Sequence, residues 1–118
     1  MHELAIAESI LTAVSDAAAA YPGQRVREIR LTIGQLRAIE PETMRLCWEA
    51  VTRETSMEAA VIKITEATAS GKCRGCDLVF ETEELVFVCP ECGGADVETV
   101  GGKELVVDSI DLVEERGV

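Results

Sequence analysis

Two cysteine pairs, Cys73-Arg74-Gly75-Cys76 and Cys89-Pro90-Glu91-Cys92, are separated by residues 77–88. Two residues between cysteines let a tight turn aim both sulfurs at one ion. Four thiolates then close a tetrahedral site and leave no position for a substrate. The pattern predicts a structural zinc site held by Cys73, Cys76, Cys89 and Cys92 in a zinc ribbon; rubredoxin-like iron and transient metal traffic share the spacing. Cysteines paired in this way point to a metal rather than to disulfides, and to a reducing compartment. Four thiolates around a divalent ion also leave two negative charges on the site.

A second constellation opens the chain, at Met1-His2-Glu3, where His2 is the sole histidine in 118 residues. The Met1 amine, the His2 backbone nitrogen and the His2 imidazole are linked so that one ion closes a five-membered and a six-membered chelate ring. Nitrogen-rich, nearly planar coordination of that kind suits Ni(II) or Cu(II). Glu3 falls on the same sector as the apolar stripe of the helix that follows, and is expected either to supply a fourth, oxygen ligand or to orient the imidazole. A frayed terminus with a solvated histidine is the bland alternative. It is weakened here because a helix beginning at Leu4 holds the terminus against the core.

Other chemistry is excluded on the same grounds. Cys47 sits beside Trp48 on an apolar helical stripe and reads as a small buried hydrophobe with an inert thiol. A thiol enzyme would need a base, and the one histidine lies at the chain terminus. Gly101-Gly102-Lys103 fails as a phosphate loop, since Val97 stands where its first glycine belongs and Glu104 follows the lysine. The chain reads as a non-enzyme.

The elements that must position these residues follow from periodicity. Leu4, Ala7, Ile10, Leu11, Val14 and Ala18 recur at three and four, predicting an amphipathic helix that ends at Tyr21-Pro22-Gly23. Ile29, Leu31 and Ile33 alternate with Glu28, Arg30 and Thr32, predicting a half-buried strand over Val26 to Ile33. Pro41 suits the first turn of a second helix, with Met44, Cys47, Trp48 and Val51 on one stripe. Strands are expected over Ala60 to Ala67 and Leu105 to Val113. Between them, Ser70 to Gly102 holds most of the glycines and both cysteine pairs, and reads as an inserted module built on a hairpin of Leu78 to Phe80 and Val86 to Val88.

An apolar content of 47% supports one modest core, or a domain carrying a small metal-stapled module. Acidic residues outnumber basic ones 22 to 11, for a formal charge of -11. That excess argues against a nucleic-acid partner, whose phosphates need clustered Lys and Arg. The N-terminal apolar stretch has no basic flank and carries Glu3, Glu8 and Asp16, so it is expected to be neither a signal peptide nor a membrane span. A cytoplasmic protein with no membrane association is predicted.

Taken together, Met1-His2-Glu3, the helix with Ser9 and Ile10, the strand ending in Ile33-Gly34, the Glu40-Pro41 entry to a Trp-containing helix, the two cysteine pairs and the C-terminal strand resemble the hydrogenase maturation nickel metallochaperone family (HypA/HybF) over the whole chain. The resemblance implies an α/β (α+β) fold with two helices packed on a three-stranded sheet. This nickel-binding domain would comprise 1–69 and 103–118, with a zinc-ribbon domain of 70–102 inserted. It further implies His2 as the key nickel ligand with Met1 and Glu3 contributing, structural Zn(II) on the four cysteines, and Ni(II) as transient cargo. The implied partners are a HypB-like hydrogenase maturation GTPase and the large-subunit precursor of a nickel–iron hydrogenase. A zinc-ribbon adaptor or assembly protein without nickel transfer is the alternative reading. A homodimer paired through exposed sheet edges is left open.

Overall fold

The computed structural model describes residues 2–114. Helix α1 spans Glu3–Ala18, strand β1 Gln24–Gly34, helix α2 Pro41–Thr52, and strands β2 to β6 Val61–Ala67, Ala69–Cys73, Val79–Thr82, Val97–Gly101 and Leu105–Glu114. The strands form two three-stranded sheets, ordered β2-β1-β6 and β4-β3-β5. Two helices with these sheets make an α+β fold, as the sequence predicts. By mutual contact the chain divides into two compact units. The first holds residues 2–31, 39–64 and 107–114, and the second holds 32–38 and 65–106.

In the first unit, α1 packs along α2. The buried positions of α1 are Glu3, Ile6, Ala7, Ile10 and Val14. Ala7, Ile10 and Val14 follow the expected three-and-four spacing, whereas Leu4, assigned to that stripe from the sequence, is 49% exposed. Ile6, on the flank of the stripe, is buried instead, so the buried sector is rotated toward Ile6 relative to the predicted one. In α2 the buried stripe is Met44, Trp48 and Thr52 at intervals of four. Cys47 and Val51 stand half-buried at its margin. Ile29 and Leu31 of β1 and Ile62 of β2 join Ile10, Val14, Met44 and Trp48 in the core, where a fully buried large aliphatic side chain contributes roughly 1.5–3 kcal/mol of transfer free energy. The indole Nε1–H of Trp48 donates to the Ala60 carbonyl at 3.0 Å, so the ring's polar edge is satisfied where it is buried.

Polar positions of β1 lie on the exposed side. Arg30 meets Asp111 of β6 at 3.0 Å and Glu28 at 2.6 Å, and Lys63 of β2 stands 3.5 Å from Glu28. Hydrogen bonds from Arg30 and Arg27 hold the Asp111 carboxyl below the usual range, and the Arg30 guanidinium is correspondingly raised.

The second unit is held by a strand arrangement that periodicity did not anticipate. The predicted hairpin partner Val86 to Val88 is not a strand. Leu85 takes a left-handed φ of 59°, which breaks an extended run, and the Val86 N–H is taken by the Thr82 hydroxyl at 3.0 Å. The central strand is β3, with β4 on one side (Gly71 opposite Phe80) and β5 on the other (Gly71 opposite Thr99). Segment 32–38 is bound to this unit through main-chain groups. The Gly34 N–H donates to the Glu104 carbonyl at 2.7 Å and the Leu36 N–H to that of Gly102 at 2.8 Å. Gln35 accepts from the Ala69 N–H at 3.0 Å and donates to the Glu83 carbonyl at 2.6 Å. A Cβ on Gly34 would lie 2.0 Å from the Gly102 oxygen, so only glycine allows this approach.

Candidate metal centres

The second unit gathers Cys73, Cys76, Cys89 and Cys92, whose sulfurs all lie within 4.8 Å of one another. The Cys73–Cys92 and Cys76–Cys89 sulfur pairs stand 3.6 and 3.5 Å apart. Tetrahedral zinc with Zn–S bonds of about 2.3 Å requires sulfurs roughly 3.8 Å apart, so the donor set and its spacing fit that ion.

Two turns of the same design build the cluster. In the first, the Asp77 N–H donates to the Cys73 carbonyl at 2.8 Å and the Cys73 N–H to the Leu78 carbonyl at 2.9 Å. In the second, Gly93 donates to Cys89 and Cys89 to Gly94, each at 2.9 Å. The residue after each second cysteine takes a left-handed backbone, Asp77 at φ 64° and Gly93 at 73°, and those two residue types adopt that region most readily. One cysteine of each pair, Cys73 and Cys89, is buried at 1% exposure, and Cys76 and Cys92 are exposed. The first turn is tied to the approach of β5 by the Arg74–Asp96 ion pair at 2.8 Å and by the Arg74 N–H on the Asp96 carbonyl at 3.0 Å.

The electrostatics of the cluster call for a cation. Backbone N–H groups of Cys92 and Glu91 draw the Cys89 thiol down to about 7. At Cys76 the Leu78 N–H acts in the same direction, but the neighbouring thiols and burial outweigh it and push that thiol up to about 12. Cys92 is also raised, by Cys73 and Cys89, against the lowering effect of the Gly94 N–H. Four sulfurs this close cannot all ionise without a positive charge among them.

The first unit carries the other predicted constellation. Met1 lies outside the described residues. His2 is exposed and stands at the N-cap of α1, where its carbonyl accepts the Ile6 N–H at 3.1 Å while its side chain makes no capping bond. Glu3, one residue on, is buried at 4% exposure. Its Oε2 accepts the backbone N–H of Glu40 at 3.2 Å. Glu40 is itself the N-cap of α2, its side chain accepting the Glu42 N–H at 2.8 Å ahead of Pro41. The structure thus brings Glu3 and the Glu40-Pro41 turn together across 37 residues of chain. Sequence reading noted both features and did not join them. The signal was there in a carboxylate aligned with an apolar stripe, which must find a donor in the core. Cys47 takes no part in the cysteine cluster.

These features define a two-unit α+β protein with a four-cysteine cluster that fits a metal ion and an exposed histidine at the start of a helix. Residues 1–112 match the family model described as "Hydrogenase/urease nickel incorporation, metallochaperone, hypA". The chain belongs to the HypA family. It is 36% identical over 112 residues to the hydrogenase maturation factor HypA of Dechloromonas aromatica, covering 95% of this chain and 99% of that one. Identity to the HypA of Methylocella silvestris is 38% over 112 residues, with the same coverage. The solution structure of the Ni metallochaperone HypA from Helicobacter pylori superposes with a TM-score of 0.70 at 21% identity, covering 96% of this chain and 98% of that one. A second HypA solution structure gives 0.72 over 97% of this chain. The family is one of maturation factors for nickel incorporation, and among the described residues no helix is long and apolar enough to cross a membrane.

Proposed function

We propose that this protein carries Ni(II) at its N-terminus and delivers it during maturation of a nickel–iron hydrogenase. The observation that carries the reading is the exposure of His2 at the N-cap of a helix whose first residue is anchored to the core. Nickel is cargo. The Met1 amine, the His2 backbone nitrogen and the His2 imidazole would hold it, with Glu3 beside them. So few ligands at the surface allow the ion to leave by ligand exchange on docking, which an enclosing cage would resist. Copper(II) binds nitrogen donors more tightly still, so selectivity falls to metal supply and to the docked partner.

The four cysteines would hold zinc as a resident structural ion, supplying a fixed tetrahedral junction between the two turns. The acceptor is the hydrogenase large-subunit precursor, a HypB-like GTPase is the co-worker, and the cytoplasm is the setting, consistent with the family and with the acidic charge. The protein performs no catalysis of its own.

Metal analysis of untagged protein given nickel tests the reading. One zinc is expected in both wild type and His2→Ala, and one nickel in wild type alone. Calorimetry at several pH values should show weaker nickel binding in acid, because imidazoles and α-amines, with reference values of ~6.5 and ~7.8, must lose protons to coordinate. Nickel uptake by His2→Ala equal to wild type would leave the four-cysteine site as the only metal function and favour an adaptor role.

A further inference from the structure

Glu3 lies next to the histidine that carries the nickel reading, yet the two side chains have opposite surroundings. His2 is exposed and Glu3 is 4% exposed. The Glu3 carboxylate is the first residue of α1 and accepts a hydrogen bond from the main chain of Glu40, the residue that caps α2. Each helix start is electropositive because its first N–H groups lack intrahelical acceptors. The starts of α1 and α2 therefore meet at one buried anion. A carboxylate in that position is stabilised by both helices without leaving the core.

From this geometry we infer that Glu3 is a positioning residue, a latch that fixes the start of α1 to the α2 cap, and not an inner ligand of the cargo ion. The inference rests on the proposed nickel site and specifies how that site is held. An N-terminal pair of residues frays unless it is tied down. The chelate needs the amine and the imidazole in one plane, so its affinity depends on the conformational freedom left to residues ahead of α1. The latch removes that freedom through Glu3 Oε2 and the Glu40 N–H, joining residues 37 apart in the chain. To enter the coordination sphere the carboxylate would have to give up or share its bond to the Glu40 N–H, at the cost of a main-chain donor left unpaired.

The latch and the ligand roles separate on one conservative change. Glutamine keeps an oxygen that accepts the Glu40 N–H but is a much poorer donor to a divalent cation than a carboxylate. The experiment uses the full untagged chain in its zinc-loaded form. It measures nickel affinity by calorimetry, and the Glu40 amide by NMR chemical shift and hydrogen exchange, in wild type, Glu3→Gln, Glu3→Ala and His2→Ala. The latch predicts that Glu3→Gln binds nickel nearly as tightly as wild type with the Glu40 amide still protected. It predicts that Glu3→Ala loses ~10–100-fold in affinity, the usual cost of removing an outer partner, together with protection of that amide. Equal losses in Glu3→Gln and Glu3→Ala with the Glu40 amide protected in the glutamine variant would overturn the latch and make Glu3 a ligand. Wild-type affinity in Glu3→Ala would also overturn it. Retention of nickel by His2→Ala refutes the nickel site itself, independently of either Glu3 result. Thermal unfolding followed in parallel distinguishes a local loss of the latch from failure to fold.

Discussion

The cysteine cluster and the N-terminal segment are built on opposite plans. In the cysteine cluster four soft donors from two matching turns converge within 4.8 Å, two of them buried, and every turn hydrogen bond exists to aim sulfur inward. At the N-terminus the single histidine faces outward, and the buried neighbour, Glu3, is bonded to main chain. A site that encloses its ion keeps it, and a site that presents donors at a tethered chain end can release it. Under the proposed function, that difference would separate a zinc that belongs to the fold from a nickel in transit.

Loss of a buried cysteine should have the gravest consequence. Cys89→Ser replaces a buried thiol that anchors the second turn, and its zinc content should fall from one per chain to near zero. Apparent binding free energies of structural zinc, about 10–16 kcal/mol, match or exceed the whole stability of a small domain. The amide signals of the second unit should therefore collapse, while those of α1 and α2 persist. A second unit that stays ordered without zinc would remove the ion's structural role.

The first unit should respond less strongly to the loss of one buried hydrogen bond. Trp48→Phe leaves the Ala60 carbonyl without its indole donor in a buried setting, and should lower stability by roughly 1–3 kcal/mol. Denaturation read from the first unit should shift while zinc content stays at one. Zinc loss in this variant would mean that the two regions do not behave as separate supports.

The smallest effect is electrostatic. Asp111 is held below its ordinary value in the folded chain by Arg30 and Arg27. A depressed carboxyl adds stability that is complete above its unfolded value, near ~3.9, and disappears as pH falls through the lower folded value. Asp111→Asn should flatten the stability profile slightly below about pH 4 and leave it unchanged at neutral pH apart from the small loss expected of an exposed pair. An unchanged acid profile would mean the arginine contacts contribute nothing in solution. Neither zinc content nor nickel uptake should respond.

Much of the fold was legible because its signals are local. The three-and-four spacing of Ala7, Ile10 and Val14, the alternation of Ile29, Leu31 and Ile33, and the Glu40-Pro41 entry each specify an element from neighbouring residues alone. Strand pairing in the second unit was not legible. Val86 and Val88 look like a strand, but a left-handed Leu85 turns them out of the sheet, and Val97–Gly101 takes the place beside β3. Short alternating runs such as Val97 to Val100 carry too few residues for periodicity to rank them against their neighbours.

By itself the sequence determined the candidate donors: which four residues carry sulfur at turn spacing, and that the only imidazole belongs to the second residue. These are covalent facts that no folding alters. Only the tertiary structure decided what supports them, because support is a matter of contact between residues distant in the chain. It joined two turns into one cluster of four sulfurs. It also set Glu3 against the cap of α2, where a buried carboxylate had to find a donor.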